Sequence, residues 1–300
     1  QLELAYYALA QSLQPPNRTN LHCHFSEEDI DRHLQSIWTT DRASLDSLDI
    51  VDVSQNKPLF TAVKKNKNKA NDKTLNRMSS ETMLSKIRWA TLGYQYNWTE
   101  RSYSKDEHAS FSHSLKRAVM HIATLCEESL VPECGIVNFY PEGQVMGGHR
   151  DDGEKEALEK PVVSLSIGPP CIFLLGGNTK DVQPISMLLR SGDALILGGE
   201  ARLKYHGVPK VFVNAHDGGA PAHLRVNQEN LQYIETLTLH THQCPLFLHC
   251  RSGSYIDKHD NPCCCDNIDP VEIQRTLKVL NCARININLR QVYYRVSKSE

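Results

Sequence analysis

The sequence contains no run of about 18 apolar residues, the length that a membrane-spanning helix needs, and therefore predicts no such helix and no membrane partner. It also has little net charge, with a formal value of −2 at pH 7. No global field therefore drives the chain onto a polyanion, and any binding of nucleic acid needs a local patch. An initial methionine is missing, since the chain begins with Gln1, which indicates a piece of a longer protein.

Cysteine is too sparse for a disulfide scaffold, with ten residues among 300, well below the density of small disulfide-rich domains. Three of them are adjacent, at 263–265, and adjacent cysteines do not suit a regular disulfide framework. The sequence therefore predicts an intracellular, reducing location: nucleus, cytoplasm or mitochondrion.

What is present is the composition of a globular chain, 40% apolar and 23% charged, which is enough to bury a substantial core. Residues 1–80 predict a helical extension followed by a Lys-rich stretch. That stretch is interpreted as a solvated linker, with a basic strip that contacts phosphates as the alternative. Residues 81–300 predict one domain, with an insertion at about 214–270 that has no clear periodicity.

Short apolar runs separated by Gly and Pro turns dominate the chain from residue 135 onward. Apolar spacing of three and four predicts an amphipathic helix within 111–129. Regular short strands with turn signals are typical of an α+β protein with a double-stranded β-helix, or jelly-roll, core. The predicted strands are 135–140, 162–167, 171–175, 185–189, 194–197, 210–213 and 283–294.

A His-x-Asp pair at His149 and Asp151 is a candidate for metal binding. Alternate residues of an extended backbone point to the same side, so both side chains can reach one ion. His206 is predicted to follow another strand and would complete a set of two histidines and one carboxylate. That set leaves coordination positions open, as in non-haem Fe(II) oxygenases.

The last predicted strand carries polar residues on one face, at Arg284, Asn286, Asn288 and Arg290. The pattern aims two cations into the jelly roll and turns Ile and Leu outward. Buried arginines need an anionic partner, and a dicarboxylate suits the bidentate guanidinium. Asn138 and Tyr140 share one face of the strand that precedes the metal motif.

Four motifs in order give the sequence a resemblance to a known family. They are Asn-Phe-Tyr-x-x-Gly at 138–143, His-x-Asp at 149–151, Tyr-His-Gly-Val-Pro at 205–209 and Arg-x-Asn-x-Asn-x-Arg at 284–290. This pattern resembles the AlkB family of Fe(II)/2-oxoglutarate dioxygenases. Residues 88–98, 171–177 and 283–292 resemble the nucleic-acid dioxygenases of its homologue 1 branch.

The resemblance implies the cofactors Fe(II), 2-oxoglutarate and O2, with the N-terminal helices and a nucleotide-recognition lid around the jelly roll. It implies Fe(II) ligands at His149, Asp151 and His206. Contacts to 2-oxoglutarate are implied for Asn138, Tyr140, Arg284, Asn286 and Arg290. The implied reaction oxidises an N-methyl group on a base, which leaves as formaldehyde while 2-oxoglutarate becomes succinate and CO2.

The implied partner is nucleic acid, either transfer RNA or DNA. The implied substrates are N1-methyladenine in transfer RNA, N6-methyladenine in DNA and 5-methylcytosine in transfer RNA, and the sequence does not choose among them. A base must leave its stack to react, and aromatic side chains can then stack on it. Substrate contacts are expected from residues of the lid and of the metal motif: Tyr94, Tyr96, Trp98, Tyr103 and Arg150. Arg150 has a second interpretation, an ion pair with Asp152 in solvent.

Three other functions remain open from the sequence: a nucleic-acid-binding protein with a vestigial pocket, an oxygenase that acts on a protein side chain, and a lyase that acts at abasic sites. The insertion is rich in His and Cys but shows no Cys-x-x-Cys pair, so it predicts a loop without zinc. The oligomeric state is not readable.

Overall fold

The structure is a computed structural model, and it describes residues 2–13, 16–23, 26, 28, 30, 86–109, 112–213, 276, 279–280 and 283–293. The predicted Lys-rich linker and the predicted insertion at about 214–270 lie outside the described residues. The predicted domain boundary near residue 80 lies outside them as well and stays a prediction. No helix in the described ranges is long and apolar enough to cross a bilayer.

The described strands form two antiparallel sheets. The strands are β1 (Trp89–Asn97), β2 (Ser102–His108), β3 (Cys134–Pro141), β4 (Met146–His149), β5 (Val162–Ile167), β6 (Cys171–Leu175), β7 (Ile185–Leu189), β8 (Ala194–Leu197), β9 (His206–Val211) and β10 (Ala283–Arg290). The larger sheet has the order β2-β1-β3-β10-β5-β8 and the smaller one the order β4-β9-β6-β7. Two sheets of this kind confirm the predicted jelly-roll core.

Two α-helices have described bounds, α1 (Leu2–Ser12) and α2 (His113–Leu125), with short 3-10 turns at Asn20–Cys23 and Gly199–Ala201. Ser112 caps α2, since its side chain accepts a hydrogen bond from the backbone N–H of Leu115. The helix predicted within 111–129 is therefore confirmed with tighter bounds. Both helices contribute apolar side chains to the main core, including Leu9 and Leu115.

Two strands differ from their predictions by four residues at one end: β9 begins at His206 rather than at residue 210, and β10 ends at Arg290 rather than at residue 294. Gly207 and Pro209 signal a turn in the sequence, because proline cannot donate to a sheet ladder. The pairing with β6 shifts register between Ile172, opposite Lys210, and Leu174, opposite Gly207. Two residues of β9 oppose one of β6 at that point, so Pro209 sits in a bulge. His206 therefore follows β8 along the chain, as predicted, and is itself the first residue of β9.

The strand β10 is buried on both of its faces. Ile285, Ile287 and Leu289 have no exposed surface and pack into the core that the helices cover. The face that was predicted to point outward from the jelly roll thus packs into the main core. The polar face, from Arg284 to Arg290, looks toward the space between the sheets, where a smaller apolar cluster includes Tyr140 and Phe173.

Candidate active site

The two histidines of the predicted metal set meet across a strand pair. His149 ends β4, His206 begins β9, and they are direct partners in the antiparallel register. Their ring centroids lie 4.4 Å apart. Asp151 follows β4 and places Oδ1 3.8 Å from His149 Nε2 and Oδ2 3.9 Å from His206 Nε2. The three side chains bring ligand atoms within 4.8 Å of one another.

Backbone carbonyls orient both imidazole rings. His149 Nδ1 lies 3.0 Å from the carbonyl oxygen of Gly147, and His206 Nδ1 lies 3.1 Å from that of Lys204. Because a carbonyl oxygen only accepts, these contacts place the ring proton on Nδ1 and leave the Nε2 lone pair for a metal. Burial lowers the pKa of His206 although Asp151 opposes this shift, so the neutral ligand form is favoured.

The carboxylate of Asp151 is held in its ionised form. Burial alone would raise the pKa of this group, but Arg290 and both histidines hold it below its ordinary value. The Arg290 Nη2 atom donates to Asp151 Oδ2 at 2.8 Å. Two imidazoles and one carboxylate on one side of a cavity fit a divalent metal such as Fe(II) and leave further positions open.

A single cavity joins this metal set to the polar face of β10. It holds about 480 Å³ of space, counted with its open mouth. Apolar residues from the smaller sheet and from β5 and β8 form much of its wall. Its lining residues are Asn138, Tyr140, Met146, His149, Asp151, Val162, Ser164, Phe173, Leu189, Leu195, Leu197, His206, Gly207, Val208, Arg284, Asn286 and Asn288.

Arg284 is a buried cation in the wall of this cavity, with 1% of its surface exposed. Its Nη2 atom donates to Ser166 Oγ at 2.6 Å and its Nη1 atom to the carbonyl of Pro169 at 3.2 Å, while Nε has no partner. No carboxylate in the described part of the chain forms an ion pair with it. A buried guanidinium without a counter-ion is costly, so the site fits an anion such as a carboxylate of 2-oxoglutarate.

The neighbouring polar residues form a short chain along the same wall. Asn138 donates to Asn286 Oδ1 at 3.3 Å, and Asn286 donates to Ser164 Oγ at 2.6 Å and to the carbonyl of Leu165 at 3.2 Å. Burial raises the pKa of Tyr140, so its hydroxyl stays protonated and able to donate. The predicted cosubstrate residues Asn138, Tyr140, Arg284 and Asn286 thus lie together.

Arg290, the fifth predicted cosubstrate residue, is placed differently. It does not line the cavity but pairs with Asp151 and, at 3.3 Å, with Glu154 Oε1. Its partners are therefore a metal-ligand candidate and a second buried acid. A direct contact of Arg290 with 2-oxoglutarate stays a prediction.

Asn288 lines the cavity, as the alternation along β10 indicated. Several other polar residues of the site carried no signal strong enough to single them out. Ser164 and Ser166 come from β5, which pairs with β10 in the same sheet. Glu154 and Arg202 form a buried ion pair at 2.8 Å. Their separation in sequence leaves no pattern that would connect them, so only the fold reveals that pair.

The predicted substrate aromatics lie on the β1–β2 hairpin at the edge of the larger sheet, and none of them lines the cavity. Tyr94 contacts the rings of His108 and Tyr293. Tyr96 contacts Trp98 and Tyr103.

The ring of Tyr96 also covers Gly153, two residues beyond Asp151, so closely that a Cβ on Gly153 would lie 2.8 Å from Tyr96 Cε2. Trp98 is 48% exposed. The hairpin therefore borders the metal loop without entering the cavity.

Arg150, the cation between the metal-ligand candidates, is exposed and lies over the ring of Tyr205, 5.2 Å from its centroid. The alternative partner, Asp152, instead forms an ion pair with Arg101 at 2.6 Å. Asp152 is not part of the metal set. Arg150 is thus left at the surface beside the cavity mouth.

Residues 52–290 match the 2OG-Fe(II) oxygenase superfamily. The DNA N(6)-methyladenine demethylase ALKBH1A of Arabidopsis thaliana is 36% identical over 232 residues, which cover 74% of this chain and 65% of that protein. The nucleic acid dioxygenase ALKBH1 of Homo sapiens is 32% identical over 209 residues, which cover 69% of this chain and 46% of that protein. The tRNA demethylase abh1 of Schizosaccharomyces pombe is 36% identical over 133 residues, which cover 43% of this chain and 44% of that protein.

The chain thus spans between about two fifths and two thirds of the length of these relatives. The superfamily match, by contrast, reaches from residue 52 to residue 290 and includes both the His-Asp-His set and the whole of β10. The cavity described above contains candidate ligands for Fe(II) and a buried arginine that fits 2-oxoglutarate, the two groups in the name of this superfamily. The chain belongs to the 2OG-Fe(II) oxygenase superfamily.

Proposed function

We propose that this protein is an Fe(II)- and 2-oxoglutarate-dependent dioxygenase that oxidatively demethylates bases in nucleic acid. One observation carries the proposal: the His149–Asp151–His206 set lines the same cavity as Arg284, a buried guanidinium whose Nε has no hydrogen-bond partner. A metal site alone fits many enzymes. A metal site beside a buried cation fits a metal that works with an anionic cosubstrate.

In this proposal His149, Asp151 and His206 hold Fe(II), and Arg284 binds a carboxylate of 2-oxoglutarate. Bound iron and cosubstrate supply the activation of O2. Tyr140 and Asn138 add neutral donors near the cosubstrate, because burial keeps the Tyr140 hydroxyl protonated. Apolar residues such as Phe173 and Leu197 limit the access of water to the reacting groups.

The substrate class comes from the relatives and from the hairpin. The three relatives described above are named for action on DNA, on nucleic acid and on transfer RNA. Tyr96 and Trp98 offer aromatic surface beside the metal loop, and a base taken out of its stack can pack on such a surface. Arg150 and Lys105 are exposed cations suited to phosphates.

The reaction converts an N-methyl group, 2-oxoglutarate and O2 into the demethylated base, formaldehyde, succinate and CO2. The direct test is formaldehyde release with Fe(II) and 2-oxoglutarate from two methylated substrates, transfer RNA with N1-methyladenine and DNA with N6-methyladenine, and from the same two strands without methyl groups. We expect release from at least one methylated strand and none from its unmethylated match. Oxidation of 5-methylcytosine is followed in parallel by mass spectrometry of the nucleosides.

A His206→Ala variant serves as the control for iron-dependent chemistry, and a methylated peptide serves as the competing substrate. Release that persists in His206→Ala would contradict the proposed iron site. Turnover of the peptide without turnover of any methylated strand would move the proposal to a protein substrate. Strand cleavage at abasic sites that survives the same variant would be a separate, metal-independent activity.

A further inference from the structure

Glu154 is a buried carboxylate that none of the proposed roles uses. Its side chain has no exposed surface. It accepts hydrogen bonds from three groups: Arg202 Nη2 at 2.8 Å, Arg290 Nη1 at 3.3 Å and the hydroxyl of Tyr103 at 2.6 Å. A charged group buried this deeply is retained only when its partners compensate the loss of water.

Both guanidiniums that contact Glu154 also contact Asp151. Arg290 donates to the Asp151 carboxylate at 2.8 Å. Arg202 donates Nη1 to the main-chain carbonyl of Asp151 and Nε to the carbonyl of Lys160 at 2.8 Å. Glu154 therefore lies behind Asp151. It is linked to the Asp151 side chain through Arg290 and to the Asp151 backbone through Arg202.

The charges of this cluster balance, with two guanidiniums and two carboxylates in contact. Replacing Glu154 by a neutral residue leaves Arg290 with Asp151 as its remaining anionic partner and leaves Arg202 with the main-chain carbonyls of Asp151 and Lys160. A buried cation that loses one anionic partner either moves closer to the carboxylate that remains or moves away from its original position. Either response changes how Asp151 is presented to a metal.

The neighbouring acids provide a contrast on the same loop. Asp152 pairs with Arg101 and Glu156 with Lys105, at 2.6 Å and 3.6 Å, and both pairs are at the surface. These two pairs link the loop to the β1–β2 hairpin in solvent. Glu154 links to the same hairpin through Tyr103 but does so in the interior, where it also meets the arginines.

We propose that Glu154 is a positioning residue that fixes the Asp151 carboxylate for metal binding through Arg202 and Arg290. The hydroxyl of Tyr103 holds Glu154 in the conformation that reaches both arginines. This inference rests on the proposed function, since it takes Asp151 as a ligand of the metal. It adds a residue that touches neither the metal nor the cosubstrate.

The test measures Mn(II) affinity of the whole chain by calorimetry, with the electron paramagnetic resonance spectrum of bound Mn(II) as a second readout. Glu154→Gln keeps the size of the side chain and removes its charge. We expect about 10- to 100-fold weaker Mn(II) binding, the usual cost of losing an outer partner of a metal ligand, together with a changed spectrum. Glu156→Gln makes the same substitution in an exposed pair and is expected to bind Mn(II) as the unmodified chain does.

Thermal unfolding of each variant shows whether it is folded at the temperature of the titration. Unchanged Mn(II) affinity and spectrum in folded Glu154→Gln would overturn the inference. If Glu154→Gln does not fold, Tyr103→Phe decides, because it removes one hydrogen bond and keeps every charge. A smaller loss of affinity in the same direction is expected there, and no change would overturn the inference.

The unmodified chain separates this inference from the function on which it rests. If the unmodified chain and Glu154→Gln bind Mn(II) equally well, the role of Glu154 is overturned and the proposed function stands. Failure of the unmodified chain to bind Mn(II) at all overturns both. Neither readout depends on finding the correct nucleic-acid substrate.

Discussion

At the scale of single residues, Arg284 shows how a buried charge identifies a ligand. A positive charge at this depth in the interior is unfavourable, and the Nη atoms of Arg284 donate only to neutral oxygens. The unpartnered Nε and the adjacent cavity explain why this cost is tolerated. In the proposed function, a carboxylate of 2-oxoglutarate would supply the missing partner.

Arg284→Lys tests that explanation. Lysine keeps the positive charge but loses the fork that can hold a carboxylate through two hydrogen bonds. Because a hydrogen bond to a charged group contributes about 1.5–3 kcal/mol, we expect the KM for 2-oxoglutarate to rise about 10- to 100-fold. Competition with added succinate, measured in the same variant, should weaken in parallel. An unchanged KM would show that Arg284 does not hold the cosubstrate.

The cysteines of the described residues differ in expected reactivity. Burial raises the pKa of Cys134 to about 12, with Glu154 adding to the shift and Arg290 opposing it, whereas Cys126 is exposed. Only the thiolate reacts with iodoacetamide, and a raised pKa keeps Cys134 protonated at pH 8. We expect peptide mass spectrometry of the folded protein to find Cys126 alkylated and Cys134 unmodified. Equal labelling of both before denaturation would contradict the burial of β3.

The sequence predicted the residues whose partners lie nearby or whose motif is specific. His149 and Asp151 stand two positions apart, and His206 lies within a motif that the family shares. Glu154 could not be found in this way. Its partners Arg202 and Arg290 come from distant parts of the chain, and no local periodicity records a contact that tertiary packing creates.

At the scale of secondary-structure elements, the pairing of β4 with β9 sets the spacing of the two histidines. Gly207 follows His206 in β9, and a Cβ there would lie 2.9 Å from the carbonyl oxygen of Met146 in β4. Contacts that close are not tolerated against backbone atoms, so the absence of a side chain permits the two strands to approach. The sequence showed Gly207 only as part of a turn-like motif.

Gly207→Ala should therefore separate the strands at the metal site. We expect weaker Mn(II) binding, since His149 and His206 are displaced relative to each other. Gly199→Ala is not a matched control because Gly199 has a positive φ of 50°. Gly148 is suitable, since a Cβ added there would meet no atom within 4 Å. Equal metal affinity for Gly207→Ala and Gly148→Ala would contradict the role assigned to close strand packing.

The alternation of polar and apolar residues predicted the two faces of β10 but did not predict the start of β9. Its isoleucines and leucine fill the helix-covered core while its arginines and asparagines face the cavity, so a period of two is preserved although both faces are buried. In β9 the bulge at Pro209 breaks that period. Its start was therefore missed, whereas the bounds of β5, β6, β7 and β8 match the prediction.

At the scale of the whole molecule, the two sheets bring motifs from distant parts of the sequence to one cavity. β4 and β9 of the smaller sheet supply the histidines, and β3 and β10 of the larger sheet supply the polar wall. The motifs that carry the resemblance to the family therefore lie far apart along the chain but meet at one cavity. That the insertion at about 214–270 is a loop without zinc stays a prediction, because it lies outside the described residues.

The most direct test of the shared cavity is a calorimetric titration of 2-oxoglutarate into the protein with and without Mn(II). We expect Mn(II) to strengthen 2-oxoglutarate binding, and we expect His206→Ala to remove this enhancement while residual binding through Arg284 persists. Binding of 2-oxoglutarate that is indifferent to Mn(II) and unaltered in His206→Ala would contradict the claim that the metal set and Arg284 serve one active site.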